Sequence, residues 1–280
     1  MRALPKPPFG VMFALHTCVS SIRDAILKDR LLSSSSAIAA AESDYSARGA
    51  TMSLFAIPGS DEVASLLTTS EMMRVYSGTF VRSKATRFLY DLIKSAPKND
   101  MCPLCGQRTV STLDHYLAQS IHPNLTIVPL NLVPACAECN KKKLNFQPQS
   151  EIEQGFHPYF DDFDDTQWLV AEVMETTPAA IRFFVMAPSH WTEAKAARAF
   201  RHFTSFDLGT LYSSHSGVEI SNMRYSLEMV ATRGTPEDVR LTLLDRAESA
   251  RRVNLNSWQT ATYQALADST WYCSGGFLLT

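Results

Sequence analysis

The sequence predicts an α+β fold in which mainly helical regions flank a short unit of two strands and one helix. Two Cys-x-x-Cys pairs bracket one segment, and stretches rich in β-forming residues lie between them. On both sides of this segment, apolar residues recur at helical spacing. We therefore expect a partly flexible N-terminal extension over residues 1–70, a core with a preceding basic helix over residues 71–150, and a mainly helical region over residues 151–280.

The composition is that of a globular protein with an ordinary core. Hydrophobic residues make up 45% of the 280 residues and charged residues 19%, which argues against wholesale disorder. No apolar run approaches the roughly 20 residues that a membrane-spanning helix needs, so we expect no membrane association. The formal net charge is -2, so any binding of nucleic acid must use a local basic patch or a partner.

The N-terminal extension carries weak signals. Residues 11–32 have the pattern of one amphipathic helix, and a run of serines followed by an Ala-rich stretch comes next. This low-complexity composition predicts that much of residues 30–60 is mobile. A turn follows, in which Ser60 or Asp61 is expected to cap a further helix.

Residues 71–96 show a helical pattern in which basic and aromatic side chains alternate around an apolar face. Arg82 and Arg87 are among the basic residues, and we expect them to contact nucleic acid along its phosphate backbone. The alternative is a solvated helix face whose basic stems cover apolar surface. Pro97 ends the predicted helix.

The four cysteines of the central segment have the spacing of a metal site. Cys102 and Cys105 form one knuckle, in which Gly106 allows a tight turn, and Cys136 and Cys139 form the second. Four thiolates suit tetrahedral Zn²⁺, and a closed coordination sphere indicates a structural ion. Such an ion would join the two ends of the intervening loop and contribute to its folding free energy.

The residues around the knuckles predict a ββα unit. Residues 109–115 and 131–135 have the character of short strands, and residues 137–144 that of a helix that begins at the second knuckle. Three polar residues lie on these three elements and could converge: His115, Asn131 and Asn140.

This segment resembles the HNH family of nucleases, which have a ββα-metal fold. The resemblance covers about 45 of the 280 residues and lies in three ordered motifs: Leu-Asp-His-Tyr-Leu, Asn-Leu-Val-Pro and Cys-x-x-Cys-Asn. It implies that His115, Asn131 and Asn140 are the three signature residues. Zinc-stapled members of the family carry the same two cysteine pairs.

The residue types suit hydrolysis of a phosphodiester. Such a reaction needs a base to activate water, and we expect His115 to be that base, with its ring oriented through Nδ1 by a backbone carbonyl. Asp114 and Asn140 offer oxygen ligands for one catalytic Mg²⁺ or Mn²⁺. The family resemblance implies that Asn131 is mainly a scaffold residue. It also implies that the basic residues after the second knuckle contact phosphates, and these are Lys141, Lys142 and Lys143.

The C-terminal region begins with an acidic stretch over residues 151–165, for which a solvated loop is favoured over a cation site. His157, within this stretch, is expected to be a core or turn residue. The remaining pattern predicts two strands followed by helices, at residues 168–174, 180–186, 194–206, 221–232 and 235–252.

The resemblance implies a metal-dependent endonuclease that hydrolyses DNA, in a prokaryotic mobile-element or antiviral (anti-phage) defence setting. The metal-type spacing of the cysteine pairs indicates a reduced, intracellular protein, so we expect it in the cytoplasm. The chain is also loosely similar to HNH subunits that pair with an ATPase in Septu-type and retron-associated systems, so an ATPase or other defence-system partner is expected. Two alternatives are an inert zinc-stapled module for nucleic-acid binding or assembly, and an RNase or toxin that uses the same site on RNA.

Overall fold

A computed structural model describes residues 2–279, which divide into two compact units. The N-terminal unit comprises residues 2–162 and the C-terminal unit residues 163–279. The sequence had suggested boundaries near residues 70 and 150. In the structure, the N-terminal extension belongs to the same unit as the cysteine segment, because its backbone and side chains bond to residues beyond 150. For example, the Gln154 amide accepts the N–H of Phe55 at 2.7 Å and donates to the carbonyl of Met52 at 2.7 Å.

The first predicted helix is two helices. Helix α1 spans Val11–Ser21 and α2 spans Ala25–Ser33. The helix is interrupted between them, and a new helix starts because the Asp24 carboxylate accepts the N–H of Leu27 at 3.1 Å and so caps α2.

The Ala-rich segment that the sequence predicts to be mobile forms helix α3, Ser35–Ala50. Its Glu42 carboxylate accepts the otherwise unpaired N–H of Val11, at 2.9 and 3.0 Å, at the start of the preceding helix α1. Tyr45 is fully buried, and its hydroxyl lies 2.9 Å from Nε2 of His157. His157 is thus a buried core residue, as the sequence predicts, and α3 is fixed at both of these positions.

A short hairpin replaces the helix expected after Asp61. Strands β1, Glu62–Val63, and β2, Leu67–Thr68, pair antiparallel. Ala64 and Ser65, between them, both have positive φ, at 52° and 55°, which a tight hairpin turn requires.

The predicted helix over residues 71–96 is interrupted. It consists of α4, Thr69–Arg74, then a π-helical stretch, Val75–Phe80, then α5, Arg87–Lys94. A capping box between Thr68 and Glu71 starts α4.

The ββα unit is confirmed. Strand β3, Thr112–His115, pairs antiparallel with β4, Leu132–Ala135, and helix α6, Ala137–Lys143, follows directly. In this register His115 lies opposite Leu132, so the last residue of β3 faces the start of β4, next to Asn131. The unit therefore places the end of β3 beside the start of β4, and α6 begins directly after β4.

The C-terminal unit is a hairpin with helices, as the sequence predicts. Strands β5, Leu169–Met174, and β6, Ala180–Val185, pair antiparallel. The helices that follow are α7, Glu193–Ser205, α8, Leu208–Ala231, α9, Pro236–Val253, α10, Trp258–Asp268, and α11, Thr270–Cys273.

Burial alternates along β6, with Ile181 and Phe183 inward, and α8 and α10 pack on the hairpin. The buried Asn256 side chain accepts the backbone N–H groups of Trp168 and Leu169, which fixes the start of β5.

Among residues 2–279, no helix is both long and apolar enough to cross a bilayer.

Candidate functional site

The four cysteines form a buried cluster that can hold a metal ion. The Sγ atoms of Cys102, Cys105, Cys136 and Cys139 all lie within 4.8 Å of one another. Four sulfurs around a tetrahedral Zn²⁺ at about 2.3 Å would be about 3.8 Å apart, so the cluster needs only a small contraction to fit the ion. The side chains fit zinc by geometry and by the softness of their donor atoms.

Backbone geometry at the two knuckles supports this assignment. The N–H of Arg108 points at Sγ of Cys105, and the N–H of Cys139 at Sγ of Cys136, both at 3.4 Å. Such bonds stabilise negative charge on a ligating sulfur. Gly106 has a φ of 63°, so the first knuckle turns through the left-handed region that glycine favours.

An open cleft of about 670 Å³ lies beside this cluster, in the N-terminal unit. It is lined by residues from the π-helical stretch, from β3 and from α6. Among them are three of the four predicted catalytic residues: Asp114, His115 and Asn140.

His115 is held at the end of β3 with a defined orientation. Its Nε2 lies 2.8 Å from the carbonyl oxygen of Thr126. Because a carbonyl only accepts, Nε2 carries the proton and Nδ1 carries the lone pair of the neutral ring. The expected orientation through Nδ1 was therefore wrong, since the loop after β3 returns its carbonyl to the other ring nitrogen. Burial lowers the pKa of His115 to about 4, so the ring is neutral near pH 7.

Asp114 is buried and paired with a lysine. The Lys143 ammonium lies 3.4 and 3.3 Å from the two carboxylate oxygens and 2.6 Å from the carbonyl oxygen of His115. Burial raises the pKa of Asp114 to about 6, while the charge of Lys143 acts in the opposite direction. Divalent ions prefer carboxylate oxygens, but an ion that bound Asp114 would have to share these oxygens with Lys143 or displace it.

Asn131 is completely buried, and its side-chain amide bonds to backbone groups of the loop after β3. Its Oδ1 accepts the N–H of Leu117 at 2.8 Å, and its Nδ2 donates to the carbonyls of Leu117 at 2.9 Å and Leu125 at 3.3 Å. Its side chain therefore ties the loop after β3 to the start of β4.

The predicted nucleic-acid-binding residues occupy different positions. Arg82 and Lys141 line the cleft. Arg87 instead pairs with Asp91 at 2.9 Å and covers the ring of Tyr90, with 4.5 Å between the guanidinium carbon and the ring centroid.

Lys142 is exposed on α6, whereas Lys143 is turned toward Asp114.

Sequence reasoning missed Tyr76. Its ring meets that of His115 edge-on, with 4.5 Å between centroids, and it comes from the π-helical stretch. Such stretches are frequent at functional sites. The only signal in the sequence was an aromatic residue in a helical pattern, which does not specify a contact 39 residues away.

The fold and the site define an α+β protein with a ββα unit, a four-cysteine cluster and a cleft lined by both polar and apolar residues. Over 293 aligned residues the chain is 26% identical to "Protein ea31" of Escherichia phage lambda, with 96% of this chain and 98% of that protein covered. No protein-family profile matches the chain. No solved structure matches it at a significant level.

Proposed function

We propose that this protein is a metal-dependent HNH endonuclease that hydrolyses DNA phosphodiester bonds. The observation that carries the proposal is the orientation of His115, whose Nε2 proton is held by the Thr126 carbonyl. This arrangement gives a neutral imidazole with a basic Nδ1 in the same cleft as Asp114 and Asn140.

In this proposal His115 acts as the general base. Nδ1 takes a proton from a water molecule, and the resulting hydroxide attacks the phosphorus of the scissile bond. The P–O3′ bond then breaks, and the leaving 3′ oxygen takes a proton from a second water molecule. The positive charge that forms on the ring is stabilised through Nε2–H and the Thr126 carbonyl. Tyr76, packed edge-on against the ring, restricts its rotation.

Asp114 and Asn140 fit a catalytic Mg²⁺ or Mn²⁺, because both line one cleft and both carry side-chain oxygens, the donor atoms that these ions prefer. Such an ion would offset negative charge on the phosphate and on the leaving oxygen. The four cysteines would hold Zn²⁺ and so stabilise the packing of β3, β4 and α6 against one another.

Arg82 and Lys141 are the residues that we assign to phosphate binding, since both line the cleft. The net charge of -2 gives little long-range attraction for DNA. We therefore propose that a partner, such as an ATPase of a defence system, delivers the substrate. Strong cutting by the isolated chain at physiological salt would contradict this part of the proposal.

A mobile-element or anti-phage setting is consistent with the similarity to a phage protein. None of the six cysteines, all of which lie within residues 2–279, is in a disulfide, which is typical of a reducing compartment such as the cytoplasm.

The test is a plasmid-nicking assay on purified zinc-loaded protein, in EDTA and then with Mg²⁺ or Mn²⁺. We expect metal-dependent nicking that His115→Ala abolishes and that His16→Ala, at an exposed histidine of α1, leaves unchanged. Equal nicking by wild type and His115→Ala would mean that another group is the base. Labelled single-stranded RNA in parallel reactions separates a DNase from an RNase or toxin.

A second candidate is an inert zinc-stapled module for nucleic-acid binding or assembly. The pairing of Lys143 with both oxygens of Asp114 favours it, because a permanently occupied carboxylate would bind no divalent ion. Calorimetry of Mn²⁺ binding to wild type and to Asp114→Ala distinguishes the two. Identical isotherms would support the inert module.

A further inference from the structure

Lys143 stands apart from the two lysines that precede it. Lys141 and Lys142 are exposed, whereas the Lys143 side chain is only 13% exposed. Its ammonium contacts three oxygens: both carboxylate oxygens of Asp114 and the backbone carbonyl oxygen of His115. This is an internal contact, and Lys143 is not among the residues that line the cleft, so its ammonium is not presented to a phosphate backbone.

The ammonium and a divalent ion would compete for the same ligand. Mg²⁺ and Mn²⁺ bind carboxylate oxygens at about 2.1 Å, so an ion on the side of the carboxylate that Lys143 occupies would displace the ammonium. Asp114 is only 7% exposed, so it has little room to turn toward a second cation while it keeps the first. Two like-charged groups at one buried carboxylate also repel each other.

The residue after Lys143 is strained. Leu144 has φ 49° and ψ -136°, in a region that branched side chains rarely adopt, and it is 70% exposed at the rim of the cleft. The backbone conformation is therefore unfavourable at the residue that directly follows Lys143.

We propose that Lys143 is a latch that occupies the cation position of Asp114 and is displaced when a divalent ion binds. This inference rests on the proposed catalytic role of Asp114. The latch would keep the cleft inactive until the ion arrives, and displacement would turn a third basic side chain of α6 outward, toward the phosphates.

Reductive methylation of lysines with formaldehyde, followed by mass spectrometry, tests the latch in the unaltered zinc-loaded chain. Without Mn²⁺ we expect Lys143 to react at least about fivefold more slowly than Lys141 on the same helix. Saturating Mn²⁺ should raise the rate at Lys143 toward that of Lys141. A rate at Lys143 that Mn²⁺ does not change would overturn the latch.

Calorimetry with Mn²⁺ at one fixed, mildly alkaline pH supplies the second measurement. Lys143→Met removes the competing charge, so it should bind Mn²⁺ about fivefold or more tightly than wild type. Lys141→Met, which makes the same charge change on the same helix, should stay within about twofold. Equal or weaker binding by Lys143→Met overturns the latch.

The two proposals fail in different ways. If Mn²⁺ binds wild type but not Asp114→Ala, and Lys143 stays protected, the latch is wrong and the catalytic metal site stands. If Mn²⁺ binding does not depend on Asp114, the proposed metal site is wrong and the latch is overturned with it.

Discussion

Nε2 of His115 lies 2.8 Å from the carbonyl oxygen of Thr126, which fixes the tautomer of a buried imidazole. The two residues are 11 positions apart, on either side of a loop that the Asn131 side chain ties to the start of β4. The orientation of the proposed base therefore depends on the same loop that the cysteine cluster closes.

Binding of Mn²⁺ should weaken at acidic pH because of Asp114. Burial raises the pKa of this carboxyl to about 6, and only its ionised form is a metal ligand. The affinity should fall about tenfold per pH unit below about 6. Calorimetry between about pH 5 and about pH 8 measures this. Because the pKa of His115 lies near 4, protonation of His115 cannot account for a fall in Mn²⁺ affinity near pH 6. An affinity that stays constant from about pH 8 down to about pH 5 would contradict the assignment.

Removal of one zinc ligand should unfold the core of the N-terminal unit. Cys102→Ser should lose stoichiometric zinc and lower the melting temperature by about 10 °C or more, since ligation contributes directly to folding. Cys273→Ser is the matched control, because Cys273 lies in the C-terminal unit, outside the cluster. Elemental analysis and calorimetric melting check both. Normal zinc content and melting in Cys102→Ser would refute the structural-metal assignment.

Asn131→Ala should destabilise the protein without removing a catalytic group. The substitution leaves buried backbone groups of Leu117 and Leu125 without the amide that bonds them. We expect the free energy of unfolding in urea to fall by about 2–4 kcal/mol. Asn145→Ala is the control, because Asn145 is an exposed residue that lines the cleft. It should change the free energy of unfolding by less than about 0.5 kcal/mol. A neutral Asn131→Ala would mean that the loop does not need this side chain.

The basic residues should differ in their contribution to DNA binding. Arg82→Ala and Lys141→Ala should each lower the slope of log K against log salt by about 0.9, because each removes one phosphate contact. Arg87→Ala should change the slope less, since Arg87 is engaged with Asp91 and Tyr90. Fluorescence anisotropy with a labelled duplex at several salt concentrations measures the slopes. Equal changes for Arg82 and Arg87 would place the bound strand outside the cleft.

The ββα unit was predictable because the cysteine spacing fixes both ends of a short segment whose strands and helix have clear local patterns. The C-terminal hairpin was predictable because its two strands also have clear local patterns. The contacts of Tyr76 and Lys143 were not, because each depends on how separate elements pack. Tyr76 reaches His115 only through the π-helical stretch, and Lys143 reaches Asp114 only because α6 ends beside β3.

The N-terminal helices show a further reason for failure. An Ala-rich run predicts either a helix or a mobile linker, and composition does not distinguish them. The decision comes from tertiary contacts: Glu42 caps α1, and the buried Tyr45 meets His157. These partners are 31 and 112 positions apart in the chain, beyond the reach of local patterns.

The division of the chain after Asp162 separates two kinds of evolutionary constraint. Every candidate ligand, base and phosphate contact belongs to residues 2–162, so under the proposed function inherited changes there would meet selection on bond cleavage. Residues 163–279 contribute none of the groups assigned to that site. Sequence drift and length variation among descendants should therefore collect in the second unit, where new recognition specificities can arise while the site remains intact.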